Sequence, residues 1–146
     1  MTRISVTDIS ATDTYDSLIQ ATAYMARNAQ TLSPEQRKLL PLTPAVFFVL
    51  FALADGEKHG YVVMQHVAML SDGKFRMGPG TLYTTIQRLL ELSLIEETAN
   101  HDEPESRRRY YRLTGAGKAL LHVEFDRMDA LLRLAHQKKL VPRNAQ

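Results

Sequence analysis

Apolar side chains along this chain recur at helical spacing in most segments and alternate in only one. Tyr15, Leu18, Ile19, Thr22, Met25 and Ala26 form a first helical stripe, with Asp13 placed to cap it. Ser33-Pro34-Glu35-Gln36 predicts a second, short helix, with serine at the N-cap, proline at N1 and glutamine at the capping-box position; Pro41 ends it. One narrow apolar stripe does not fold alone, so residues 1–41 are expected to form a helical arm that packs on something else.

Thr43-Pro44 opens the next helix by the same cap-and-proline logic. Ala45 to Leu53 is apolar on every side, which predicts a central buried helix ended by Asp55-Gly56. A further helix is expected from Lys58 to Leu70, followed by a Ser71-Asp72-Gly73 turn. Gly78-Pro79-Gly80-Thr81 then starts a helix reaching about Ser93. Leu82, Thr85, Ile86, Leu89 and Leu90 fall on one side of it. Gly80, Thr81, Thr84, Gln87, Arg88 and Glu91 fall on the other, with Tyr83 at the border.

Two short strands are predicted at Leu94–Ala99 and Arg107–Leu113, joined by a polar tip, Asn100 to Ser106. Thr114 caps a last helix from Gly115 to Lys139. There Leu121, Phe125, Met128, Leu132 and Ala135 repeat at alternating spacings of four and three, widened by Leu120, Leu131 and Leu134. That period is a coiled-coil seam and argues for a partner helix, which the Tyr15–Ala26 stripe of its own or the other subunit could also supply; these five are the predicted dimerisation residues. The tail, 140–146, is expected to be loose.

This order of elements predicts a mainly α protein with a small β-hairpin (α+β). The layout is a winged helix-turn-helix over 42–113, preceded by the arm at 1–41 and followed by a long dimerisation helix at 114–139. The helices at 58–70 and 78–93 would be the helix-turn-helix pair, and 94–113 the wing.

Composition sharpens this. A chain of 146 residues holds one ordinary domain, and the absence of cysteine excludes a disulfide framework, thiolate zinc sites and a cysteine nucleophile. The formal charge of +2 points to no partner, but its distribution does. Residues 1–36 hold Arg3 and Arg27 against Asp8, Asp13, Asp16 and Glu35, whereas residues 106–118 hold Arg107, Arg108, Arg109, Arg112 and Lys118 with no acid. An acidic arm and a basic wing average to near neutrality. The first 30 residues lack the apolar core of a secretion signal. The longest apolar run, Ala45 to Ala54, is far short of the ~20 residues of a membrane span, so the expectation is a soluble cytoplasmic protein with no membrane partner.

The chemistry these residues offer is that of binding. The start of the 78–93 helix presents free N–H groups and a positive dipole end to phosphate. Thr81, Thr84 and Gln87 carry small hydroxyl and amide groups able to reach base edges, and Arg88 can reach a phosphate or a guanine. Arg107, Arg108 and Arg109 are expected to splay toward backbone phosphates or a minor groove, with Tyr111 and Leu113 pointing inward; Asp102, Glu103 and Glu105 place the contact on the strand side. Double-stranded DNA is the predicted partner. The alternative is a winged-helix interaction module whose basic wing meets an acidic protein. His122 and Asp126, or His59 and His66, have no third ligand in register and read as solvated or structural, so neither metal nor cofactor is expected. No triad or phosphate loop is recognisable, and an enzyme is not expected.

Five pieces occur in fixed order: His59-Gly60-Tyr61, Gly80-Thr81-Leu82-Tyr83, Arg88-Leu89-Leu90 leading to Leu94-Ile95, Arg109-Tyr110-Tyr111-Arg112-Leu113-Thr114, and Gly117. Together, over about residues 42–118, they resemble the PadR family of bacterial transcriptional regulators. The resemblance implies a homodimeric winged-helix regulator, commonly a repressor acting on an inverted-repeat operator, in a short form with a single C-terminal dimerisation helix. It implies that Tyr83 sits beside the DNA backbone and that a small aromatic or hydrophobic effector binds near the dimer interface. Ser93 stands where glycine is usual and Gly78 where serine is frequent. If residue 93 has φ > 0, serine there costs roughly 1 kcal/mol relative to glycine. The arm is longer than the family core requires, and with no tryptophan in the chain an indole-walled pocket does not carry over.

Overall fold

The computed structural model describes residues 16, 19, 20, 23, 32–98 and 109–142. The arm's Tyr15, Leu18, Thr22, Met25 and Ala26, the wing tip with Arg107 and Arg108, and the end of the tail lie outside the described residues. The elements are α1 (Pro34–Arg37), α2 (Pro44–Ala52), β1 (Lys58–His59), α3 (Gly60–Leu70), α4 (Pro79–Glu91), β2 (Ile95–Thr98), β3 (Tyr110–Leu113) and α5 (Gly115–Gln137). This is a winged helix-turn-helix with a long C-terminal helix.

The local signals act as the sequence predicts. Ser33 and Gln36 exchange both bonds of a capping box: the Gln36 N–H donates to Ser33 Oγ (3.1 Å) and the Ser33 N–H donates to Gln36 Oε1 (2.8 Å). Thr43 and Thr114 cap α2 and α5 through their hydroxyls. The turn of the helix-turn-helix uses Asp72 (φ 54°) and Gly73 (φ 71°). Ser71 Oγ braces it by accepting the Phe75 N–H at 3.0 Å.

Two expectations need correction. The wing is not a hairpin alone. Lys58 and His59, expected as the first turn of a helix, form β1, and the sheet is three-stranded and antiparallel in the order β1-β3-β2. Lys58 pairs with Tyr111 and Ile95 with Leu113, so the wing is anchored from both edges of β3. The helix that follows therefore begins at Gly60. The second correction concerns α2. Val46, Val49, Leu50 and Ala52 are buried among α3, α4 and α5, but Phe47, Phe48 and Phe51 are only half-buried. Three neighbours cover three sides of a helix, and the fourth carries the phenylalanines. Phe47 and Phe51 meet Phe125 of α5 edge to face at centroid distances of 5.4 and 5.1 Å.

The end of α4 is where the rest of the chain gathers. Ser93 has φ 57°, and the Leu94 N–H donates back to Leu89 O at 3.0 Å, a left-handed helix stop. The three carbonyls that follow the helix each receive a donor from elsewhere. Gln36 Nε2 donates to Leu92 O (2.8 Å), Thr114 Oγ1 to Ser93 O (2.7 Å), and Thr114 N to Leu94 O (3.1 Å). Gly117 packs so close that a Cβ there would lie 2.0 Å from Leu94 O.

A fully buried carboxylate, Glu124, ties α5 to the segment before α2. Its Oε2 accepts the Leu42 N–H at 3.0 Å, and its Oε1 accepts Nε of Arg127 at 2.9 Å together with Arg127 Nη2. The charge is thus both paired and hydrogen-bonded, which is what makes its burial tolerable.

Gly117→Ala should lower the unfolding free energy by about 3 kcal/mol, because the new methyl meets backbone rather than a side chain that can turn away. Ser93→Gly should raise it by about 1 kcal/mol by relieving the left-handed serine. Urea titration of both variants measures the two shifts, which should have opposite signs.

Candidate nucleic-acid interface

The face of α4 divides as its sequence pattern requires. Leu82, Thr85, Ile86 and Leu89 are buried, and Thr81, Thr84, Gln87 and Arg88 are exposed. Thr85 satisfies its hydroxyl inside the helix by donating to Thr81 O at 2.7 Å. Gln87 is steadied by Glu91 one turn later at 3.4 Å, a weak hold that leaves the amide free to turn outward. Gly78 is the N-cap and offers no side-chain cap, and Pro79 at N1 has no N–H. The amides of Gly80 and Thr81 therefore stand at the exposed positive end of the helix dipole.

Tyr83 is 53% exposed, and its ring lies along Gly60 at the start of α3. A Cβ on residue 60 would sit 3.2 Å from Tyr83 Oη and 3.4 Å from Cε1. Two of the five recurring motif pieces thus touch. Gly60 gives room for the tyrosine, and the tyrosine lies between α3 and the wing. A groove of about 710 Å³ opens there, lined by His59, Gly60, Tyr61, Gln65, Tyr83, Arg109 and Tyr111. The His59 ring stacks on Tyr61 (centroids 6.4 Å apart) and meets Tyr110 edge-on at 5.6 Å. α3 begins at this groove, with His59 as an N-cap whose side chain makes no capping hydrogen bond. The groove joins a helix N-terminus, hydroxyls, an imidazole and a guanidinium, all groups that suit a phosphate chain.

The wing turns Tyr111 and Leu113 inward, 4% and 7% exposed, and Arg112 outward. The described wing arginines are not unopposed, as the count over 106–118 suggests. Arg112 Nε bonds Glu96 Oε1 at 2.5 Å, and Arg109 Nε lies 3.6 Å from Glu97 Oε1. Both acids come from β2, a strand outside that window and cross-strand to β3. Arg107 and Arg108 lie outside the described residues.

Of the predicted dimerisation residues, Phe125, Met128 and Leu132 are exposed and Ala135 is partly covered. Leu121 is different. It is buried in the chain's own core, as is Leu120, because the first half of α5 packs on the domain. The exposed seam therefore begins at Phe125. Beside it a groove of about 250 Å³ runs between α2 and α5, lined by Phe51, Ala54, Leu113, Lys118, Leu121, His122 and Phe125.

Sequence reasoning gave no role to His59, Tyr61 or Gln65, although two of them stand in a motif. Their signal was the motif itself, read only for resemblance. Lys74 and Arg76, exposed in the turn leading into α4, also escaped notice. Two basic residues just before a recognition helix were legible as candidate phosphate contacts. Among the described residues no cluster of three metal-ligating side chains occurs, and no helix is long and apolar enough to cross a membrane.

Residues 49–123, just over half of the chain, match the PadR-like family of transcriptional regulators. The chain belongs to that family. Its relatives include Transcriptional regulator Rv3488 of Mycobacterium tuberculosis, 35% identical over 85 residues that cover 58% of this chain and 76% of that one. An uncharacterized 37.1 kDa protein of transposon TN4556 from Streptomyces fradiae is 38% identical over 87 residues. That match covers 60% of this chain but only 24% of the relative, so the chain spans about a quarter of that protein's length. Among solved structures, a PadR family transcription regulator from Clostridium difficile R20291 superposes with a TM-score of 0.55 at 22% identity, covering 65% of this chain and 97% of that one. The PadR-like match ends inside α5 and begins inside α2, leaving the arm outside the shared region.

Burial pushes the Tyr111 phenol above its ordinary value of 10.0, with Glu97 adding to the rise and Arg109 opposing it. Below that value both folded and unfolded chains keep the proton. Above it the unfolded chain releases the proton first, so stability falls as pH rises. Tyr111→Phe should change stability at pH 7 by less than about 1.5 kcal/mol and flatten its loss above pH ~10, checked by urea melts across alkaline pH. Gly60→Ala should leave the melting curve nearly unchanged but displace the exposed Tyr83 ring, visible as a shift of its aromatic NMR signals.

Proposed function

We propose that this chain is a homodimeric, sequence-specific DNA-binding repressor of the cytoplasm, relieved by a small aromatic or hydrophobic effector. The observation that carries this reading is the division of α4. Its buried side holds it to the core, while Thr81, Thr84, Gln87 and Arg88 form one exposed polar face that begins at an uncapped helix N-terminus. That face enters the major groove, where hydroxyl and amide groups discriminate base edges. Tyr83 and the groove beside it follow the backbone, and Arg107, Arg108 and Arg109 add phosphate contacts from the wing.

The dimer forms through α5. Its exposed seam is confined to the second half, while its first half is packed on the domain beside the α2–α5 groove. An antiparallel pairing lays the seam of one copy along that groove of the other, covering Phe51 and Phe125. The two recognition helices then enter successive major grooves about 34 Å apart, which requires an inverted-repeat operator. An effector seated in the α2–α5 groove lies directly under the partner helix, where it alters the spacing of the two α4 helices.

Binding to the chain's own promoter, followed across a salt series, should weaken steeply with salt. A flat response, or equal binding to random DNA, overturns the reading. Gln87→Ala should lose about 1–3 kcal/mol of discrimination at one base position, whereas Arg108→Ala should weaken all sequences alike. Equal losses on every sequence from both variants would show that the two roles are misassigned.

A further inference from the structure

We propose that the arm of one copy crosses the dimer and covers the second half of the partner's α5, its Tyr15–Ala26 stripe lying on the partner subunit's Leu131 and Leu134. The inference rests on the dimer reading above. Leu131 and Leu134 are 51% and 50% exposed. At about 100° per residue they do not belong to the Phe125–Met128–Leu132 seam but continue the side on which Leu120 and Glu124 are buried. In the first half of α5 that side is filled by the chain's own domain. Beyond Glu124 the helix leaves the domain, and the same side stays apolar. One partner helix fills the seam and does not reach around to Leu134, so a second helix is required.

The arm supplies one. Its apolar positions repeat at helical spacing over Tyr15 to Ala26, a length of roughly 18 Å, which matches the stretch of α5 from Arg127 to Lys138. Ile19, on that stripe, is helical and 60% exposed, so the single chain does not bury it. The arm is rooted at the wrong end of its own α5 to reach Leu134 there. Gln36 is bonded to Leu92 O, beside the carbonyls that hold Thr114 at the start of α5. The path along the chain's own helix is taken by the segment through Leu42, which is bonded to Glu124. In an antiparallel dimer, the partner's second half lies next to this root. The residues between Ala26 and the buried Leu32 span roughly 20 Å at most, enough to cross to the neighbouring helix. Charge agrees: Asp8, Asp13 and Asp16 of the arm meet the end of α5, where Lys138 and Lys139 stand beyond Arg133, which is already paired with Asp129 at 2.8 Å.

The cysteine-free chain makes the test direct. A tagged Ile19→Cys copy and an untagged Leu134→Cys copy are allowed to exchange subunits and treated with a short bis-maleimide. The expected product is a covalent pair carrying one chain of each kind. A full-length chain bearing both cysteines that closes only on itself, at a concentration where sedimentation shows the dimer, overturns the crossing, and linkage of neither kind overturns the docking. Leu18→Glu with Ile19→Glu should raise the dimer dissociation constant about tenfold or more while leaving the domain's melting temperature in place. An unchanged dissociation constant counts against the arm. Sedimentation of the unaltered chain separates the two readings. A dimer without linkage removes only the arm's role, and a monomer at all concentrations removes the dimer as well.

Discussion

Three successive carbonyls, those of Leu92, Ser93 and Leu94, hold this molecule together. They follow the end of α4, and two parts of the chain satisfy them: the short arm helix through Gln36, and the start of α5 through two groups of Thr114. The approach is close enough that only glycine fits at 117. Recognition helix, wing and C-terminal helix therefore share one fixed point. A shift of α5 there is a shift of α4, so the two helices are mechanically linked.

Around that point the domain is finished on one side and unfinished on the other. α3, α4 and the sheet close the core from below, and Glu124 closes it where the arm enters. The side formed by Phe47, Phe51 and Phe125 and the second half of α5 is left apolar and half-covered. The described elements are too few to wrap both a central helix and a 23-residue C-terminal helix. The surplus apolar surface is left outside the core.

Much of this was legible in the sequence, and what was not follows a physical rule. The caps at Ser33, Thr43 and Thr114 and the division of α4 are local or periodic, and local signals survive without knowledge of tertiary contacts. The positive φ at Ser93 entered only as a condition, through the glycine that the resemblance places there, because the serine itself carries no sign of it. β1 was missed because a two-residue strand has no period, and only its pairing with β3 creates it. The pairing of Arg109 and Arg112 with Glu97 and Glu96 was missed because the acids belong to another strand. Glu124 hid in the same way. It lies three and four residues after Leu121 and Leu120, on the core side, but a carboxylate there suggests an exposed face until Leu42 and Arg127 are seen around it. Leu121 was assigned to a partner because a heptad does not say which of two apolar surfaces it fits.

The contact between Gly60 and Tyr83 has an evolutionary reading. The two residues are 23 positions apart and belong to different helices, yet the space of one is the ring of the other. Selection then acts on the pair and not on either site. Wherever a lineage gives up the ring at 83, a side chain at 60 no longer has to push it aside, and an alanine or serine fits there at no cost to the ring's place. Among descendants of this protein a side chain at 60 is thus expected together with a smaller or displaced ring at 83.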